Sequence, residues 1–160
     1  MKAEAINPVT GDSICVELSE DQLSDIESLQ RERISDKRLL SYIDQLNISA
    51  DAKALIETIL RSTIRVGKAV IRIGKRIIEV VLSIVSKFPN VTFGLVLGLV
   101  VYALVASIPL IGALFGGLLG PIAVLFGLVN GYFEDIKDKK LERKIMEASA
   151  HFSALRGTNP

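Results

Sequence analysis

The sequence predicts an all-α membrane protein built around a two-span transmembrane hairpin, and three observations lead there. From Phe88 to Phe133 there are 46 consecutive residues without Asp, Glu, Lys, Arg or His, whereas one bilayer-spanning helix needs ~20 apolar residues. The 160-residue chain is 49% hydrophobic but only 6% aromatic, an aliphatic excess for its size. Charge is segregated although the net is only +1: residues 1–51 carry 5 basic and 11 acidic side chains, 53–87 carry 8 and 2, and 134–160 carry 6 and 5.

Residues 1–48 read as an acidic cytoplasmic helical region. Its polar start excludes a cleaved signal peptide. The first 18 residues, with Pro8, Gly11 and Asp12, read as an irregular or weakly extended lead-in. Ser19 and Gln22 match a capping box and predict a helix from Glu20 to about Ile34. Ser35 and Asp36 then cap a shorter helix with Leu39, Leu40, Ile43 and Leu46 on one side.

Residues 49–88 predict one long basic amphipathic helix that stops before Pro89. It contains a seven-residue phrase said nearly twice, Arg65 to Ile71 and Arg72 to Ile78. On a helical wheel Arg61, Arg65, Lys68, Arg72, Lys75 and Arg76 share one arc, and Ile59, Val66, Val70, Ile73, Ile77, Val81 and Ile84 lie opposite. Gly67 and Gly74 fall on the apolar side, where a glycine lets another backbone approach closely. The seven-residue recurrence suits helices that supercoil around copies of themselves.

Residues 89–133 form the hairpin, with spans at about 91–107 and 112–132 and a turn at Pro109 and Gly112. Lysines and arginines flank both outer ends and none lies in the turn, which puts both termini in the cytoplasm of a bacterial inner membrane. A hairpin buried within a helical bundle, as in colicin-type toxins, is the rival reading of the same run. Residues 134–160 predict a cytoplasmic amphipathic helix through Ile136, Leu141, Ile145, Phe152 and Leu155, then a loose tail.

Eight of the 12 glycines lie between positions 94 and 131. Gly94 and Gly98, then Gly112, Gly116 and Gly120, then Gly127 and Gly131 recur four apart, the spacing of a glycine zipper in which membrane helices pack closely. Two spans cannot enclose a pathway alone, so conduction requires a homo-oligomer. Thr92, Tyr102, Ser107 and Asn130 are the polar candidates to line a pore. The absence of ionisable residues in the spans argues against a proton relay.

The basic stripe has three readings: a solvated face, a lipid-headgroup contact, or a vestibule that holds a polyanion such as a nucleotide or single-stranded oligonucleotide. No aromatic residue interleaves it, so contacts would go mainly to phosphate. Cys15 and His151 are each the only one of their kind, which excludes a disulfide framework, a His/Cys metal cluster and a Cys–His dyad within one chain. No phosphate-binding glycine loop, nucleophile elbow or HExxH is present. The expectation is a protein without cofactor and without enzymatic activity.

An acidic helical start, a basic lead-in helix, a glycine-rich two-span hairpin over 88–133 and a cytoplasmic tail resemble, in plan, the small oligomeric membrane effectors of bacterial anti-phage defence, the channel component of the Hailong system among them. The resemblance implies a ring-shaped ion channel held shut by a nucleic-acid oligomer made by a partner nucleotidyltransferase. Arg65, Lys68, Arg72, Lys75 and Arg76 would face that ligand. The function expected is thus a homo-oligomeric inner-membrane channel or pore-forming toxin, gated from a basic vestibule, that depolarises the membrane. The alternatives are a non-conducting membrane-anchored adaptor and a holin-like lysis protein.

Overall fold

Lys2–Ile6 buries every second residue, the period of a half-buried strand, and pairs with Ser13–Glu17 in a sheet. A computed structural model describes residues 2–7, 10–19, 29, 34–126 and 139–156. Its architecture is mixed α/β with a four-stranded antiparallel sheet, which corrects the all-α expectation. Strand β1 (Lys2–Ile6) pairs with β2 (Ser13–Glu17) from Lys2↔Glu17 to Ile6↔Ser13, burying Ala3, Ala5 and Val16. The turn is held by Asn7 N–H donating to the Asp12 carbonyl at 2.7 Å and by Gly11 at φ 77°. The capping box at Ser19 and the helix expected behind it fall largely outside the described residues.

Helix α1 (Asp36–Gln45) starts where Ser35 Oγ accepts from Arg38 N–H, and α2 (Ala50–Leu60) where Ser49 Oγ accepts from Ala52 N–H. The long helix expected over 49–88 then fails in its middle. Strands β3 (Ile64–Val66) and β4 (Ala69–Ile71) interrupt it, joined by the two-residue turn Gly67-Lys68, and helix α3 (Ile73–Lys87) follows. Gly67 takes φ 60°, the left-handed region that a tight hairpin turn needs and that costs glycine little. Pairing decides the outcome: β3 lies against β1 with Ala3↔Val66 and Ala5↔Ile64, which buries Ile64 and Val66 and turns Arg65 outward. The sheet order is β2-β1-β3-β4. Two nearly identical heptads therefore fold differently, the first as a hairpin and the second as the opening of a helix. Within α3 the apolar face predicted for the helix does form, with Ile73, Ile77, Val81 and Ile84 buried, whereas Val70 on β4 points outward and is 54% exposed.

The charge-free run is divided rather than continuous. Helix α4 (Phe93–Ser107) ends at Ile108, whose extended backbone (φ −126°, ψ 110°) is what a following proline favours. Pro109 opens α5 (Pro109–Phe115), and a 3-10 turn at Gly116–Leu118 separates it from α6 (Leu119–Leu125). Among the described residues no helix is long and apolar enough to cross a membrane. That finding overturns the transmembrane hairpin, and with it the membrane-channel and inner-membrane readings. At ~1.5 Å per residue the 15 residues of α4 reach ~22 Å, short of the ~30 Å hydrocarbon core.

Helix α4 is apolar along most of its length because most of it is covered, Tyr102 and Ala106 being exposed. It packs against α3, α5, α6 and α7 (Lys139–His151), and Val96, Leu97, Val100, Val101 and Leu104 are fully buried. The sheet rests on α5, and Asn7 Nδ2 ties the end of β1 to the Ala113 carbonyl at 2.9 Å. Helix α7 buries Leu141, Ile145 and Ala148 on one face, and a 3-10 turn at Ser153–Leu155 then brings Phe152 and Leu155 into the core.

Candidate functional site

The second heptad folds as the opening of α3 and carries Lys75 and Arg76 inward. Gly74 makes this fit: its N–H donates to the Ser62 carbonyl at 3.1 Å, and a Cβ there would collide with the Ile59 carbonyl. With α3 held this close to α2, Lys75 is 1% exposed and Arg76 4% exposed. Buried cations need partners to offset desolvation. Lys75 Nζ lies 2.8 Å from Asp36 Oδ1, and Arg72 Nη1 donates to both Asp36 oxygens at 2.9 Å. The Lys75 ammonium, and after it the Arg72 guanidinium, holds the Asp36 carboxyl below its ordinary value.

Arg76 turns the other way, toward α7. Its Nη2 is 2.9 Å from His151 Nε2, and its Nη1 is 4.0 Å from Glu79 Oε1. Glu79 is buried as well, and its Oε2 accepts from Ile34 N–H at 2.9 Å. These groups line a cleft of about 560 Å³ between α3 and α7. Arg76, Glu79, Val80, Ser83 and Lys87 repeat at helical spacing along one wall, and Lys144, Glu147, Ala148 and His151 do so along the other. The walls grade from buried Arg76 and Glu79 to exposed Ser83, Ser86 and Lys87. The cleft thus presents three cations and an imidazole against two carboxylates, a set that can hold an anionic group and accept hydrogen bonds elsewhere on the same ligand. Its volume lies within the ~300–1,000 Å³ range of small-molecule sites.

A smaller groove of about 350 Å³ lies among Asp36, Leu39, Leu40, Glu57, Leu60, Arg61 and Arg72. Its Asp36 and Arg72 are already engaged with each other.

The six residues read as one basic stripe are dispersed. Arg61 ends α2, with Nε donating to the Glu57 carbonyl at 3.4 Å, Arg65 and Lys68 are exposed on the β3–β4 hairpin, Arg72 and Lys75 hold Asp36, and Arg76 alone enters the larger cleft. Of the pore candidates, Thr92 caps α4, with Oγ1 accepting from Leu95 N–H at 3.2 Å. Tyr102 is 56% exposed, Ser107 Oγ donates to the Ala103 carbonyl, and Asn130 lies outside the described residues. The zipper glycines also separate. Gly94 abuts the Phe126 ring, Gly98 is buried in α4, and Gly112 faces the Val105 carbonyl, whereas a Cβ at Gly116 or Gly120 would meet nothing within 4 Å. Gly127 and Gly131 lie outside the described residues.

Sequence reasoning missed Asp36, Glu79, Lys144, Glu147 and His151 as site groups. The spacing of 144, 147, 148 and 151 on a helix was a usable signal, but their union with Arg76 depends on how α3 and α7 pack. Among the described residues no group of three or more His, Cys, Asp or Glu side chains could hold a metal ion. No protein-family model, curated protein or solved structure matches the chain.

Proposed function

We propose that the chain is a non-enzymatic binding protein that takes a small phosphate-bearing ligand, of nucleotide size, in the cleft between α3 and α7. The observation that supports this most is the nearly buried Arg76 guanidinium beside His151, in a cleft that Lys87 and Lys144 also line. A guanidinium fixed before the ligand arrives costs little ordering on binding and recognises phosphate oxygens in a planar, two-pronged geometry. The size of the cleft favours a mononucleotide or pyrophosphate over an extended oligonucleotide, which narrows the ligand expected from the basic stripe.

Calorimetric titration with pyrophosphate and a nucleoside diphosphate tests the proposal. Binding should weaken about fivefold in Lys144→Gln and again in Lys87→Gln, the size expected for an exposed charge pair of ~1 kcal/mol. Neither substitution should change the melting temperature of the free protein by more than a degree or two. The absence of both heat and ligand-dependent stabilisation would sink the reading.

A further inference from the structure

We infer, on the reading of the cleft as an anion site, that His151 sets when the cleft takes its ligand: protonation of its imidazole raises anion affinity. Arg76 Nη2 and His151 Nε2 are 2.9 Å apart. A guanidinium has five N–H donors and no acceptor, so the contact is a hydrogen bond only while Nε2 keeps its lone pair. Neutral His151 therefore occupies one of the guanidinium donors. A proton taken from water onto Nε2 uses that lone pair and sets two cations face to face. The imidazolium must turn from Arg76, and both groups then present N–H donors to the cleft. An anion between them relieves the repulsion, so proton and anion favour each other's binding, and by linkage each does so by the same factor.

Among the described residues, the other charged groups that line the cleft with His151 come from α3 and α7. From α3, Glu79 faces Arg76 and is engaged by Ile34 N–H, and Lys87 lies eleven residues along the same helix. From α7 itself, Lys144 and Glu147 form an ion pair at 3.2 Å. The Phe152 ring stands edge-on to the imidazole at 5.5 Å and adds no charge.

Sulfate is the suitable probe because its charge does not change across this range, whereas phosphate titrates within it. We expect sulfate to bind the wild-type chain about tenfold more tightly at pH ~5.5 than at ~7.5, within the usual range of linked binding. His151→Gln, whose amide oxygen can still accept from Arg76, should bind with no such dependence. Equal slopes in the two proteins, or no slope in the wild type, would overturn the inference and leave the anion site standing. No sulfate binding at either pH would remove both. Should the variant not fold, calorimetry of the wild type at pH ~6.5 in two buffers of different ionisation enthalpy gives the answer. Net proton uptake with sulfate supports the inference, and zero uptake overturns it.

Discussion

Gly74 and Ile59 touch where α2 and α3 cross, and the contact has no space for one more carbon. A Cβ on Gly74 would stand 2.6 Å from the Ile59 carbonyl carbon, against backbone that no rotamer change can move. Gly74→Ala should therefore force the helices apart and cost about 3 kcal/mol. Denaturant unfolding measures it, and a loss under 1 kcal/mol would mean that the crossing is looser than described.

Gly67 has a different constraint, backbone sign rather than space. Its φ of 60° puts Gly67→Ala in the left-handed region at a cost of ~1–2 kcal/mol. The hairpin strands should remain paired, so the loss should be visible in stability while the far-ultraviolet circular dichroism stays unchanged.

Gly116 is neither crowded nor left-handed: its backbone is helical (φ −54°, ψ −42°) and nothing lies within 4 Å of a Cβ. Gly116→Ala should be neutral or stabilise by ~0.5 kcal/mol through the unfolded state. A glycine packed against a neighbouring helix would give the opposite sign, so one melting curve separates the two.

Thr92 begins α4 by accepting from Leu95 N–H. Thr92→Val keeps the shape and loses the acceptor, at an expected ~1 kcal/mol, and Thr92→Ser should recover most of it. The pair is read from thermal unfolding side by side.

Asp36 bears on acid stability. Lys75, then Arg72, lower its folded-state value, so it stabilises the fold above its unfolded value of ~4, and that contribution is lost as pH falls through the depressed value. Asp36→Asn should reduce stability at neutral pH and flatten the decline below pH ~4. An unchanged acid limb would show that the pair contributes nothing to folding.

Several boundaries were legible in the sequence. Ser35 and Ser49 mark helix starts where they were expected, and α3 stops at Lys87, just before Pro89, whereas Pro109, expected in a turn, opens a helix. What misled was a signature shared by two environments. A helix apolar on every side is either in lipid or covered by protein, and most of α4 is covered by neighbours from 73 to 151 that no local pattern announces. Residues 65–71 failed for a related reason. Their wheel is a good helix and their alternation a good strand, and β1, some sixty residues earlier, decides between them. The cleft was the least legible, because only Arg76 of its charged groups belonged to the motif that drew attention.

The strand order also sets a sequence of events in time. β1 is an inner strand although residues 2–6 are translated long before their partner at 64–66, and its last tie, Asn7 to Ala113, spans 106 positions. Until the chain has grown past Val66, β1 can pair only with β2, and a two-stranded hairpin is marginal in water. Folding should therefore be slow for a chain this rich in helix, limited by closing long loops rather than by forming local turns. Deleting residues 2–6 would remove the bridge between β2 and the β3–β4 hairpin, leaving two ribbons and no sheet.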